Sequence, residues 1–164
     1  MTDLSALNTI VGQNYSTSIN VTAANQGDYP ATTNIVVYAN ETVIATFENI
    51  TPANENTILT FTWNTTGFAK GNYTMSAYIQ PDPYETNTTN DNFTSAVRIM
   101  VGIPGDIVSP FGVEDMKDIA YVAKRFNIDA SNQLWDPNAD FDGSRRIDMK
   151  DIAVVARNFQ AHDP

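Results

Sequence analysis

The chain has 164 residues, 42% of them hydrophobic, with no cysteine and a formal net charge of -10. That length allows one medium domain or two small ones. The lack of cysteine excludes disulfides, thiolate catalysis and zinc–thiolate centres, and the negative charge argues against nucleic acid or an anionic membrane as partner. No apolar run is long enough to span a membrane. Met1-Thr2-Asp3 lacks the basic start and apolar core of a signal peptide, so a leader has been removed or the chain is a fragment.

Residues 1–103 read as short strands between turns. Asn14 to Ala24 carries Tyr15, Ile19 and Val21 among Ser and Thr, and breaks at Asn25-Gln26-Gly27-Asp28. Thr33 to Ala39 and Thr42 to Glu48 flank Asn40-Glu41, which predicts a tight hairpin. Asn56 to Trp63, Gly71 to Gln80 and Phe93 to Val101 supply three more strands, the first two with clean alternation. Strands at this spacing with no helical stretch predict a seven-strand β-sandwich. Ser18 to Gly27 (SINVTAANQG), Thr60 to Gly71 (TFTWNTTGFAKG) and the Asn-rich loop from Glu85 to Asn92 resemble a CARDB-type immunoglobulin-like domain. The resemblance covers nearly all of residues 3–103. It implies a spacer or adhesion module of a prokaryotic, often archaeal, surface protein. Only Asp3 to Ile10 precede the Gly12 turn, so the first strand should be short and a sheet edge open.

Glycosylation signals fall in this same half. Asn-x-Ser/Thr occurs at Asn14, Asn20, Asn40, Asn49, Asn64, Asn72, Asn87 and Asn92. The Asn and Ser/Thr content of the first 100 residues predicts about three by chance. The excess points to an N-glycosylated extracellular domain; abundant Thr in strands is the alternative.

The charge changes character after Ile103-Pro104-Gly105. Residues 1–103 hold eight acidic and two basic residues, and residues 104–164 hold eleven acidic, ten of them Asp, and seven basic. Asp115 to Phe126 (DMKDIAYVAKRF) and Asp148 to Phe159 (DMKDIAVVARNF) match at nine of twelve positions, at an offset of 33. This is an internal duplication. Before the second copy, Asp140, Asp142, Ser144, Asp148 and Asp151 stand at positions 1, 3, 5, 9 and 12 of a twelve-residue loop, with the Arg146 carbonyl at 7. Calcium takes six to eight hard oxygens from such a loop. Arg145 replaces the glycine usual at position 6, where the chain must turn sharply, and Gly143 can take part of that strain.

The first loop is irregular: Asp106 to Asp118 is thirteen residues, one too many. Gly112 matches the turn glycine, and the candidate ligands are Asp106, Ser109, the Val113 carbonyl, Asp115 and Asp118. Fewer charges mean weaker binding, so the loop is either a weaker second site or vestigial. Helices near 115–126 and 148–159 should follow the loops, packing Ile119, Val122, Phe126, Ile152, Val155 and Phe159 inside. A module of about 60 residues buries too little apolar surface to be comfortably stable alone, and bound calcium would supply the difference. Leu134 and Trp135 should pack against these helices.

Two such loop–helix units closely resemble a type I dockerin over about the last 60 residues. The expected architecture is thus two domains: an all-β immunoglobulin-like sandwich over 1–103, then a small all-α, EF-hand-like dockerin module over 104–164. The resemblance implies a cohesin-like partner, recognised through Met116, Lys117 and Lys124 and, in the second copy, Met149, Lys150 and Arg157. These Met-Lys pairs are not the Ser-Thr pair of cellulosomal dockerins. No catalytic constellation is legible: the one histidine is His162 in the tail, and no phosphate loop or nucleophile elbow occurs. The function expected is non-catalytic, extracellular, calcium-dependent docking at the cell surface. The alternative is a structural subunit of a surface layer or fibre, in which neighbouring copies assemble through the calcium module and an open sheet edge.

Overall fold

The computed structural model describes residues 2–81, 85 and 88–163. Among these residues eight strands form in chain order: β1 (Asp3–Ala6), β2 (Ile10–Gly12), β3 (Ser16–Ala24), β4 (Ala31–Ala39), β5 (Thr42–Thr51), β6 (Asn56–Asn64), β7 (Gly71–Ile79) and β8 (Asn92–Gly102). Two helices follow, α1 (Met116–Lys124) and α2 (Met149–Arg157), with a 3₁₀ turn at Pro137–Ala139 before α2. One sheet has the order β1-β3-β6 and the other β2-β8-β7-β4-β5.

The strands form where side chains alternate. In β3, Thr17, Ile19, Val21 and Ala23 are buried while Ser16 and Asn20 are exposed. The same period buries Ile35, Val37 and Ala39 in β4, and Met75, Ala77 and Ile79 in β7. Alternation of this kind puts one face of each strand against a core. The β4–β5 hairpin closes on Asn40 and Glu41, with Ala39 opposite Thr42. Asn40 has φ 54°, a conformation that Asn tolerates better than most residues. The short first strand predicted from the sequence is divided: Asp3–Ala6 pairs antiparallel with β3, and Ile10–Gly12 crosses to pair parallel with β8.

The chain divides into two compact units. One takes the N-terminal residues through Ala6, Ser18–Trp63 and Tyr73–Arg98; the other takes Leu7–Thr17, Asn64–Asn72 and everything from Ile99 onward. This corrects the expected fold class. The chain is mostly β, its only α-helices among the described residues are two of nine residues each, and no separate all-α domain forms. The physical reason is size. Two and a half turns of helix cannot enclose a core. The repeat core of Ile107, Val122, Ala139, Ile147 and Val155 therefore takes in Ile10, from β2, along with Val108, Ile119, Tyr121, Trp135, Phe141 and Ile152. Phe126 and Phe159, expected inside, are 49% and 40% exposed, and Leu134 is 66% exposed. Each Phe lies beyond the last helical turn, where the chain has left the helix.

Candidate metal centre

The two repeats fold alike. Asp115 caps α1: its side chain accepts from the Lys117 N–H, while Asp118 reaches back to the Asp115 N–H at 2.9 Å. Asp148 and Asp151 do the same for α2, at 2.8 Å. These reciprocal capping boxes satisfy donors that a helix N-terminus leaves open. After each helix a residue with positive φ reverses the chain, Asn127 at 67° and Gln160 at 65°. Each post-helix segment then pairs with the loop of the other repeat: Asn127 N–H with the Ile147 carbonyl, and Gln160 N–H with the Glu114 carbonyl.

In the second loop, carboxylate oxygens of Asp140, Asp142 and Asp151 lie within 4.8 Å of one another. Asp140 and Asp151 are buried, and Asp142 is exposed. Short bonds fix them. Asp140 accepts from the Arg145 N–H at 2.7 Å and the Ser144 N–H at 3.0 Å. Asp151 accepts from the Phe141 N–H at 2.7 Å. The turn is made by Gly143 and Arg145, with φ 70° and 65°. Arg145 thus adopts the left-handed conformation that its position demands. Ser144 Oγ donates to the Arg146 carbonyl at 2.9 Å, and the Arg146 guanidinium bonds Asn127 Oδ1. Asp148 is turned to the helix cap, where it accepts from the Lys150 N–H at 2.7 Å.

Desolvation raises the Asp140 and Asp151 carboxyls above their ordinary value, and neighbouring carboxylates push the same way. For Asp142, burial pulls upward, but hydrogen bonds from Ser144 and Lys150 outweigh it and lower the carboxyl. Lys150 Nζ stands 3.2 Å from Asp142. Crowded carboxylates in a desolvated loop are the setting in which a cation gains most. The donors are all hard oxygens, so their chemistry fits calcium.

The first loop differs. Asp106 Oδ2 accepts from the Gly112 N–H at 2.6 Å, but its buried Oδ1 has no hydrogen-bond partner among the described residues. Asp118 accepts from Ile107 and Val108 N–H at 2.9 and 2.8 Å. Ser109 is exposed, and Val113 bridges His162. Among the described residues, only Asp140, Asp142 and Asp151 form a group of three or more potential ligand side chains this close together.

Glu114, which the sequence reading passed over, is fully buried, and neither carboxylate oxygen has a hydrogen-bond partner among the described residues. Desolvation first, then the charges of Asp118, Asp106 and Asp115, push it up to about 7. Aligning the repeats would have exposed it, since its counterpart is the buried Ile147.

The other predicted positions lie on the surface. Met116 and Met149 are 61% and 62% exposed, and Lys117, Lys124, Lys150 and Arg157 are exposed. Met116 and Lys117 line a cleft of about 730 Å³ with Val113, Phe159 and His162. Of the sequon asparagines, Asn14, Asn20, Asn40, Asn64, Asn72 and Asn92 are exposed. Asn49 is half-buried and donates to the hydroxyl of its own Thr51 at 2.8 Å; Asn87 lies outside the described residues. No helix among the described residues is long and apolar enough to cross a membrane.

No protein-family model matches the chain, and no curated protein matches its sequence. Solved structures do. A CARDB domain from Pyrococcus furiosus, crystallised in complex with di-metal ions, is 24% identical with a TM-score of 0.53, over 61% of this chain and 89% of that one. The solution structure of the same domain gives 25% and 0.50, over 60% and 89%. A domain of a candidate cell surface protein from Methanosarcina acetivorans is 21% identical with a TM-score of 0.48, over 61% and 87%. A type II cohesin–X-dockerin complex from Acetivibrio cellulolyticus is 18% identical over 87% and 96%, but its TM-score of 0.33 is too low to relate the shapes. The β-sandwich of this chain has the fold of a CARDB domain.

Proposed function

We propose that this chain is a non-catalytic, extracellular docking protein in which residues 1–103 are a CARDB-like sandwich and residues 104–164 a calcium-binding, dockerin-like repeat. The observation that carries the reading is the convergence of Asp140, Asp142 and Asp151 at positions 1, 3 and 12 of the second loop. These three, with Ser144 Oγ and the Arg146 carbonyl, would hold the ion. Calcium would supply positive charge to carboxylates that burial disfavours. The Met116-Lys117 and Met149-Lys150 pairs, at the start of each helix, would then meet a cohesin-like partner, while Lys124 and Arg157 extend that surface. The first loop would be a weaker site, since Val108 and Pro110 offer no side-chain oxygen. The exposed sequon asparagines support a cell-surface location. Isothermal titration of chelator-treated protein with calcium tests this: one strong heat is expected, lost in Asp140→Ala with Asp151→Ala. Unchanged heat in that variant would overturn it.

A second reading rests on the sheet edges. Among the described residues β5 and β6 are edge strands, and they expose Val43, Ile50 and Ile58 at 53%, 64% and 65%. Such edges favour addition of a neighbour's strand, as in a surface layer or fibre. Sedimentation with and without calcium separates the readings, since only the second yields large oligomers of pure protein.

A further inference from the structure

Asn138 lies two residues before Asp140, on the 3₁₀ turn Pro137–Ala139, outside the loop's ligand positions. Its backbone N–H donates to Asp136 Oδ1 at 2.9 Å. Its side chain points back to the start of the chain. Asn138 Oδ1 accepts from both Thr9 and Ile10 N–H, at 2.9 and 3.1 Å, and its Nδ2 donates to Thr9 Oγ1 at 3.4 Å. Asn8 returns the contact, its Nδ2 donating to the Pro137 carbonyl at 2.5 Å. All of these residues belong to the same compact unit. β2 ends the order of its sheet, so these N–H groups lie along a sheet edge. Without the Asn138 oxygen, two backbone donors would lose their partner.

The segment is held from other sides as well. The Thr9 carbonyl accepts from Met100 N–H at 2.8 Å, Ile10 packs on the repeat core, and a Cβ on Gly12 would stand 2.7 Å from the Pro104 Cα. On the loop side, the Asp140 N–H donates to the Pro137 carbonyl at 3.2 Å. Asp140 and residues 8–10 therefore share one turn as their anchor. We propose that Asn138 is a positioning residue that couples the second loop to strand β2, so that a cation held by Asp140 tightens residues 8–10. The proposal rests on the reading of that loop as a calcium site.

Coupling between two sites commonly changes affinity about 5- to 150-fold, and it is reciprocal. Amide hydrogen exchange at Thr9 and Ile10, with calcium and with chelator, tests the link in the full chain. Calcium should slow both amides at least about fivefold. Asn138→Ala should remove that slowing and weaken calcium binding by the same factor, while Asn138→Asp, which keeps an acceptor oxygen, should retain both. The coupling is wrong if calorimetry shows calcium bound while exchange at these amides is indifferent to it, or if Asn138→Ala leaves the slowing intact. If calorimetry shows no calcium binding, the cation reading fails and the proposal falls with it.

Discussion

Glu114 occupies the place that Ile147 holds in the second repeat, and both side chains are fully buried. The repeats differ once more beside it, where Gly105 stands for Ala139. A Cβ on Gly105 would lie 3.1 Å from the Val155 Cα and 3.3 Å from the Glu114 Cγ, so the missing methyl makes room for the longer side chain. What it admits is a carboxylate with no hydrogen-bond partner among the described residues. Burying a polar group without a partner costs about 1–3 kcal/mol by mutational data. Glu114→Ile restores the residue that the other repeat uses. It should raise stability by about 1–3 kcal/mol, read as a melting temperature roughly 2–10 °C higher. A lower melting temperature would mean that the carboxylate meets a group it needs.

At the scale of elements, both helices and most strands were legible, because each announces itself by period and cap. Asp115 and Asp148 cap helices that run in the expected places, and Ile19, Val21, Ile35 and Val37 alternate as a half-buried sheet must. The crossing of residues 7–12 from one sheet to the other was not legible, because three residues carry no period of their own. Nor was the clamp at Asn138, since an asparagine before an acidic loop looks like any turn residue. The connector between the helices is held by another contact of this kind. Tyr121 of α1 donates its hydroxyl to Asp136 Oδ2 at 2.6 Å, and Asp136 also caps the 3₁₀ turn. The Arg125 guanidinium lies 3.5 Å from the centre of the Tyr121 ring. Desolvation, then the bond to Asp136, raises the Tyr121 phenol above its ordinary value of 10.0. A folded-state value above the unfolded one means that this contribution is complete below pH 10 and is lost as pH rises through the folded value. Wild type should therefore lose stability in that alkaline window more steeply than Tyr121→Phe. At neutral pH the variant should be weaker by about 1 kcal/mol, the net worth of a hydrogen bond. Equal alkaline slopes would show that the phenol does not link the connector to α1.

For the whole molecule, the change of composition at Gly105 does not coincide with the division into compact units, one of which joins Leu7–Thr17 and Asn64–Asn72 to everything from Ile99 onward. Composition does change there, and the duplication does begin there, but neither measures how much apolar surface two nine-residue helices can close over. The repeat core includes Ile10, and its connector is bonded to Asn8, Thr9 and Ile10. The segment is fastened in turn by Thr17, whose hydroxyl donates to Asn8 Oδ1 at 3.0 Å and accepts from the Asn8 N–H at 3.2 Å. The C-terminal tail is tied to the same unit by Lys70, 2.6 Å from Asp163, though an exposed pair of this kind contributes at most about 1 kcal/mol. A fragment of residues 104–164 would lose the Ile10 side chain, worth about 1.5–3 kcal/mol when fully buried. It would lose the bonds to residues 8–10 as well. Small domains have only a few kcal/mol to spare, so the fragment should be largely unfolded without calcium. With calcium it should still melt well below the helices of the full chain. Circular dichroism at 222 nm on the fragment, compared with hydrogen exchange of α1 and α2 in the intact protein, checks this. A fragment as stable as the intact helices would show that the repeat closes its core without residues 8–10.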